Sequence, residues 1–350
     1  MEKTRFLGLD GLRGVCALTV VLLHSELLFN AGVFFCHGYL AVDMFFILSG
    51  FVISASYDPR LAAGLTAWRF LLARVRRLAP VFWAGTLLCI AATVIRIHYE
   101  PAPANLALFS AMGLLLIPYL APGIFAYPIN PVAWTLLWEL IVNFVYARWL
   151  RGRRSATLAA LTVGLLLLAS YASFHSYRAW SFGMTGSDLW LGGLRALPEF
   201  LTGVLLYRGH RAGLFARVPV ISPILPLMAW LVMASLPQGF SPLVDLAIVA
   251  LACPLLVVAL VRAEAPRWFT PLGAISYPIY ASHLAVVRLA QHTPLLGLNH
   301  GPRPLLAAGM VGLAGGIAFV LYRLFDPAAR PKPLSLQGIS AACEAEPKPV

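Results

Sequence analysis

Apolar positions along this chain gather in long blocks, and polar positions gather in the short gaps between them. Ten blocks are long and apolar enough to cross a bilayer: 10–29, 38–56, 79–97, 131–150, 156–174, 189–207, 219–236, 242–261, 272–292 and 303–323. Each comes close to the roughly 20 apolar residues that a helix needs to span the hydrocarbon core. An eleventh block, 105–121, is just as apolar, and the basic residues decide its place. Lys and Arg collect at alternate connections: Lys3, Arg5 and Arg13, then Arg60, Arg69, Arg74, Arg76 and Arg77 in 57–78, then Arg148, Arg151, Arg153 and Arg154. They recur at Arg208, Arg211 and Arg217, at Arg262 and Arg267, and at Arg323, Arg330, Lys332 and Lys348. Neither Lys nor Arg occurs between Arg96 and Arg148. A crossing by 105–121 would therefore invert every later loop and put the basic clusters on opposite sides, against the cytoplasmic bias of Lys and Arg.

This pattern predicts an all-α polytopic membrane protein of about ten transmembrane helices, with both termini cytoplasmic and 105–121 re-entrant or interfacial on the outer side. A single transmembrane domain over 1–327 would be followed by a Pro-rich, disordered cytoplasmic tail over 328–350. Composition agrees, with 60% hydrophobic and 11% charged residues, which excludes a soluble domain of this size. The net charge of +12 follows from the cytoplasmic loops and does not call for nucleic acid. Cys16, Cys36, Cys89, Cys253 and Cys343 are scattered, mostly within apolar blocks, and form neither a disulfide framework nor a metal-ligand set. Basic residues precede the first block as in a signal peptide, but no small-residue cleavage site follows, so the first span is read as retained.

The polar residues inside the blocks carry the chemistry. Arg13 and His24 are eleven residues apart, three helical turns plus about 20°, so they share a face and lie about 16 Å apart along the axis. A basic group at one membrane surface is thereby aligned with a titratable group near mid-depth, and such groups are costly and usually functional. Asp43 falls at a comparable depth in the second span. A neutral imidazole held by a carboxylate is a general base suited to neutral pH; a packing histidine is the plainer reading. Arg74 and Arg77, three apart before Pro80, share a helix face and could cradle phosphates, or simply mark a cytoplasmic loop. Glu139 lies beside Trp134 and Trp138 in the fourth span. Arg195 and Glu199, at i and i+4, could neutralise one another as a structural ion pair. Tyr277 and His283 lie in the ninth span, with His283 near mid-depth.

These motifs, in this order, resemble the acyltransferase-3 family of integral membrane acyltransferases. Leu9-Asp-Gly-Leu-Arg13 with His24 matches its Arg-x10-His pattern, and Gly38 to Ser54 its Val-Asp-x-Phe-Phe segment. Arg74 and Arg77 match Arg-x-x-Arg; Trp134 to Glu139 is similar to Trp-Ser-Leu-x-x-Glu, with Thr135 in place of Ser. Arg195 to Gly203 resembles Arg-x-x-Pro-Glu-Phe-x-x-Gly, Ser276 to His283 resembles Ser-Tyr-x-x-Tyr-x-x-His, and Asp326-Pro327 replaces a Glu-Pro ending. The likeness covers Leu9 to Pro327, and the resemblance leads us to expect the stand-alone type, without the C-terminal SGNH-type hydrolase domain that many members carry.

The resemblance implies transfer of an acyl group, foremost acetyl from acetyl-CoA, across the bacterial inner membrane onto a hydroxyl. The acceptor would be a cell-surface glycan or lipid-linked sugar such as lipopolysaccharide O-antigen, reached among membrane lipids. It implies a phosphate cradle of Arg74 and Arg77 helped by Arg13 and Arg76, His24 as base, Asp43 or Glu139 fixing its tautomer, and Arg195 stabilising the oxyanion. Trp134, Glu199, Tyr277 and His283 are further intramembrane polar candidates, and no metal is required. The competing reading is a transporter of a polar solute or acylated lipid, for which the same buried charges would line an aqueous path.

Overall fold

The computed structural model describes residues 6–29, 35–96, 105–177, 179–237, 241–291 and 303–325. The tail 328–350, Asp326-Pro327, Lys3 and Arg5 lie outside the described residues. Twelve α-helices are named here: α1 Leu7–Phe29, α2 Ala41–Ala62, α3 Ala67–Arg96, α4 Leu106–Leu114, α5 Ala133–Val145 and α6 Ser155–Ala172. They continue as α7 Gly192–Arg211, α8 Ile224–Ala234, α9 Ser241–Ala247, α10 Cys253–Arg262, α11 Phe269–Ala290 and α12 Arg303–Phe325. Single π-turns extend α5 over Tyr146–Leu150 and α6 over Ser173–Tyr177, and another joins α9 to α10 over Ile248–Ala252. The chain is an all-α polytopic membrane protein.

Among the described residues, seven helices are long and apolar enough to cross a membrane by themselves: Leu7–Ser25, Gly38–Ala62, Ala67–Ile95, Ser155–Ser176, Leu189–Arg211, Pro242–Arg262 and Pro304–Phe325. The other three expected spans also form helices, with different character. Helix α8 has 11 residues, fewer than a full crossing needs. Helix α5 has 13. Helix α11 has 22 residues, and its apolar character is diluted by Ser276, Tyr277, Tyr280, Ser282, His283 and Arg288. Block 105–121 contains only the nine-residue α4, about 13 Å long at the helical rise and too short to cross.

One boundary differs from the sequence reading. Residues 57–78 are not a connecting loop, because α3 begins at Ala67 and carries Arg69 to Arg77 within a continuous 30-residue helix. Phe70, Arg74 and Leu78 recur every four residues and are all buried, so they form one stripe against the bundle. Arg69, Arg76 and Arg77 lie off that stripe and are exposed. The basic block thus reads as helix because its apolar residues keep the helical period.

Glycine lets the helices come together closely, as is common where packing rather than water drives association. A Cβ on Gly50 of α2 would lie 1.9 Å from the Phe200 carbonyl oxygen of α7, and one on Gly203 would lie 1.9 Å from the Ile47 carbonyl oxygen. Gly85 of α3 meets the Ala281 backbone of α11 in the same way, and Gly273 of α11 lies against Asp10 of α1. Two seams result, α2 with α7, and α1 with α11 and α3. At the end away from the basic loops, segments 115–132 and 179–191 form a small cap. Ala126 N–H donates to the Met184 carbonyl (2.9 Å) and Gly186 N–H to the Ile124 carbonyl (2.8 Å).

Candidate active site

The seam of α1, α3 and α11, closed by α5, gathers most of the candidate residues along one line. At the basic end, Arg13 lies 3.7 Å from Asp10, one turn earlier on α1. Arg74, Arg77 and Glu139 are near enough for their charges to act on Arg13. Arg74 Nη2 donates to Glu139 Oε1 at 3.0 Å. The same carboxylate oxygen accepts Ser49 Oγ–H at 2.7 Å and Asn143 Nδ2 at 3.0 Å. Glu139 therefore anchors a guanidinium rather than a histidine. Arg74 is buried, yet its Nε–H finds no acceptor among the described residues. Tyr277 bounds the cluster on α11 and donates to the Leu78 carbonyl at 2.9 Å. Arg76 is exposed and two residues from Arg74, on the opposite side of α3, so the fold does not bring it to the cluster.

Farther along the same seam stand two imidazoles. The His24 and His283 rings meet edge to face with centroids 4.9 Å apart. His24 Nδ1 lies 2.8 Å from the Val20 carbonyl oxygen, and His283 Nδ1 lies 2.9 Å from that of Tyr280. A carbonyl can only accept, so each neutral ring carries its hydrogen on Nδ1 and keeps a lone pair on Nε2. The expectation that Asp43 or Glu139 fixes the His24 tautomer is overturned. The backbone of its own preceding turn does so, through the i−4 carbonyl of Val20. Between the imidazoles and the basic end, the Thr135 hydroxyl lies 3.0 Å from that of Tyr280.

Asp43, Arg195, Glu199 and Trp134 meet elsewhere, in the seam of α2 and α7. Arg195 grips Asp43 in a two-pronged pair, Nε to Oδ1 at 3.0 Å and Nη2 to Oδ2 at 2.8 Å. Its Nη1 donates to the Phe182 carbonyl at 2.9 Å, and its guanidinium carbon lies 5.2 Å from the Trp134 ring centroid. Arg195 therefore pairs with Asp43 rather than with Glu199. Asp43 and Arg195 occupy comparable levels on two helices that run the same way, and Gly50 and Gly203 bring those helices together a turn or two farther on. Glu199 instead accepts the Trp180 indole N–H at 3.2 Å. All three charged groups are almost wholly excluded from solvent.

A fourth cluster was not anticipated. Asp245, near the start of the 242–261 block, accepts Tyr39 O–H at 2.6 Å and Trp180 N–H at 2.9 Å. His37 Nδ1 stands 2.7 Å from its Oδ1. This hydrogen bond raises the His37 pKa above its ordinary value, against the lowering by burial. A carboxylate inside an apolar block was the available signal for it. Among the described residues no group of His, Cys, Asp and Glu could hold a metal ion.

A family model described as an acyltransferase domain matches residues 6–323. The chain is 26% identical over 313 residues to the exopolysaccharide production protein ExoZ of Rhizobium meliloti, spanning 83% of this chain and 89% of that one. It is 26% identical over 358 residues to BcsY of Komagataeibacter xylinus, which carries the name of a membrane-bound transacylase, spanning 93% of this chain and 83% of that one. It is 37% identical over 183 residues to protein 2 in the picA locus of Rhizobium radiobacter, spanning 47% of this chain and 93% of that shorter one. No solved structure matches. The chain belongs to the acyltransferase-3 family and is an acyltransferase.

Proposed function

We propose that this membrane acyltransferase takes an acyl group, in the first instance acetyl, from cytoplasmic acyl-CoA and places it on a hydroxyl of a cell-surface glycan such as lipopolysaccharide O-antigen, in the bacterial inner membrane. The name of ExoZ supports the glycan, and the clustering of basic residues at one end of the helices supports a cytoplasmic donor. The observation that carries the reading is one helix seam that holds Arg13 and Arg74 at its basic end and, about 16 Å along α1, His24 with its Nδ1 bound to the Val20 carbonyl.

The residues divide the work. Arg74 Nε–H without a partner, together with Arg13 and Arg77, would hold phosphate oxygens; guanidinium groups suit them in charge and in shape. Glu139 keeps the Arg74 guanidinium in place. The acyl-CoA supplies an activated thioester carbonyl. His24 Nε2 takes the proton of the acceptor hydroxyl as its oxygen bonds to the acyl carbon, and returns that proton to the sulfur as the C–S bond breaks. The Val20 carbonyl holds Nδ1–H throughout and so keeps the lone pair on Nε2. Asp43 and Arg195 act as positioning residues for the α2–α7 seam. Arg195 is sealed between Asp43, Phe182 and Trp134, which argues against the oxyanion role.

Membrane vesicles given radiolabelled acetyl-CoA on the cytoplasmic side test this. Label in the glycan fraction with wild type and none with His24→Ala is the expected result. Equal label with both would overturn the mechanism, and no label in any envelope fraction from wild type would overturn the donor or the acceptor.

A further inference from the structure

His283 has a feature that one general base does not explain. Its side chain is 0% exposed, and its Nε2 has no hydrogen-bond partner among the described residues. A buried acceptor left unpaired is costly, and here it stands in edge contact with a second ring that also presents an acceptor. Two lone pairs cannot satisfy one another.

Nearby hydroxyls do not fill the gap. Ser25 donates to the Val21 carbonyl at 2.8 Å and Ser282 to that of Pro278 at 2.8 Å. Thr135 donates to the Val132 carbonyl at 2.8 Å, so in the Thr135–Tyr280 contact the Tyr280 hydroxyl is the donor and its hydrogen is also used. The contact between the imidazoles thus sets two acceptor-bearing rings side by side. What completes them must bring two donors, set close together.

We infer that His283 is an acceptor-binding residue and that the acyl acceptor is a vicinal diol: one hydroxyl meets His24 Nε2 while its neighbour donates to His283 Nε2. This rests on the proposed function and deepens it. In the transfer step the first hydroxyl loses its proton to His24 Nε2, its oxygen bonds to the acyl carbon, the C–S bond breaks, and the proton passes to the sulfur. The second hydroxyl keeps its hydrogen, exchanges no proton with His283, and leaves unacylated beside the new ester. Sugar rings offer such pairs; an isolated alcohol leaves the His283 lone pair unsatisfied and is disfavoured for that reason.

The test uses the full-length protein in vesicles with acetyl-CoA, and compares trans-1,2-cyclohexanediol with cyclohexanol as acceptor. Wild type is expected to favour the diol at least about tenfold in kcat/KM, in line with the discrimination that a lost hydrogen bond to a buried group confers. His283→Phe should erase that preference by slowing the diol more than the alcohol, and His283→Gln, which restores an acceptor oxygen, should recover part of it. A preference that survives His283→Phe overturns the inference, as does a raised KM for acetyl-CoA with no change toward the alcohols, which would assign the lone pair to a donor amide. The ester position in the labelled envelope glycan of wild type is a second measurement, independent of how the variants fold and of whether the small alcohols react. An ester beside a free hydroxyl supports the inference, and an ester with no free hydroxyl next to it overturns it. Labelling of the glycan without diol selectivity defeats this inference alone, whereas no labelling of any acceptor defeats the proposed function itself.

Discussion

The two seams of this protein both bury costly polar side chains, and the arginine in each is treated differently. In the α2–α7 seam, Asp43 and Arg195 satisfy one another in a two-pronged pair, sealed by Trp134 and by backbone contact at Gly50 and Gly203. In the α1–α3–α11 seam, Arg74 keeps an N–H without an acceptor and His283 a nitrogen without a donor, while Arg13 stays partly exposed. A charge whose bonds are complete holds helices together. A polar atom left incomplete in an otherwise packed interior is available to a substrate. Burial does not separate the Asp43–Arg195 pair from Arg74 and His283, whereas hydrogen-bond completeness does; Glu199, whose Oε2 also lacks a partner among the described residues, stands outside that completed pair.

Four experiments sharpen or break that contrast, in order of expected effect. Replacing His24 by Ala should lower acyl transfer by about 10³-fold or more, within the range for loss of a general base, and leave thermal unfolding of the purified protein in detergent unchanged. Replacing Asp43 by Ala should do the reverse and cost about 3–5 kcal/mol of stability by stranding the Arg195 charge, with Asp43→Leu/Arg195→Met recovering most of it. If Asp43→Ala retained its stability and lost only activity, the contrast between the seams would fail. Arg74→Ala should raise the KM for acetyl-CoA by about 10- to 100-fold, as the loss of charge-assisted bonds predicts, with a smaller change in kcat.

The smallest effect concerns His37. Its raised pKa means that the Asp245 pair contributes its full stability below the ordinary histidine pKa and loses it as pH rises through the folded value. Thermal stability should therefore fall between mildly acidic and alkaline pH. His37→Gln should flatten that slope; an unchanged slope would remove His37 as its cause.

Much of this was legible in the order of residues, because a membrane imposes its length and polarity on every segment. The apolar blocks near 10–29, 38–56 and 303–323 are helices, and 105–121 does not cross. Arg13 and His24 share a seam because eleven residues make three turns. The sequence also marked Asp43, Glu139, Arg195 and His283 as costly residues that need a reason to be there. It could not assign partners among them, since partners sit on different helices and helical period reports only neighbours on one. The i and i+4 spacing of Arg195 and Glu199 suggested a local pair, yet the close approach at Gly50 and Gly203 made Asp43 the nearer carboxylate. Likewise the basic run from Arg69 to Arg77 resembled a loop by charge, and became helix because Phe70, Arg74 and Leu78 found a bundle to pack against. Which polar groups were completed, and which were left open for a substrate, was decided only when the helices met.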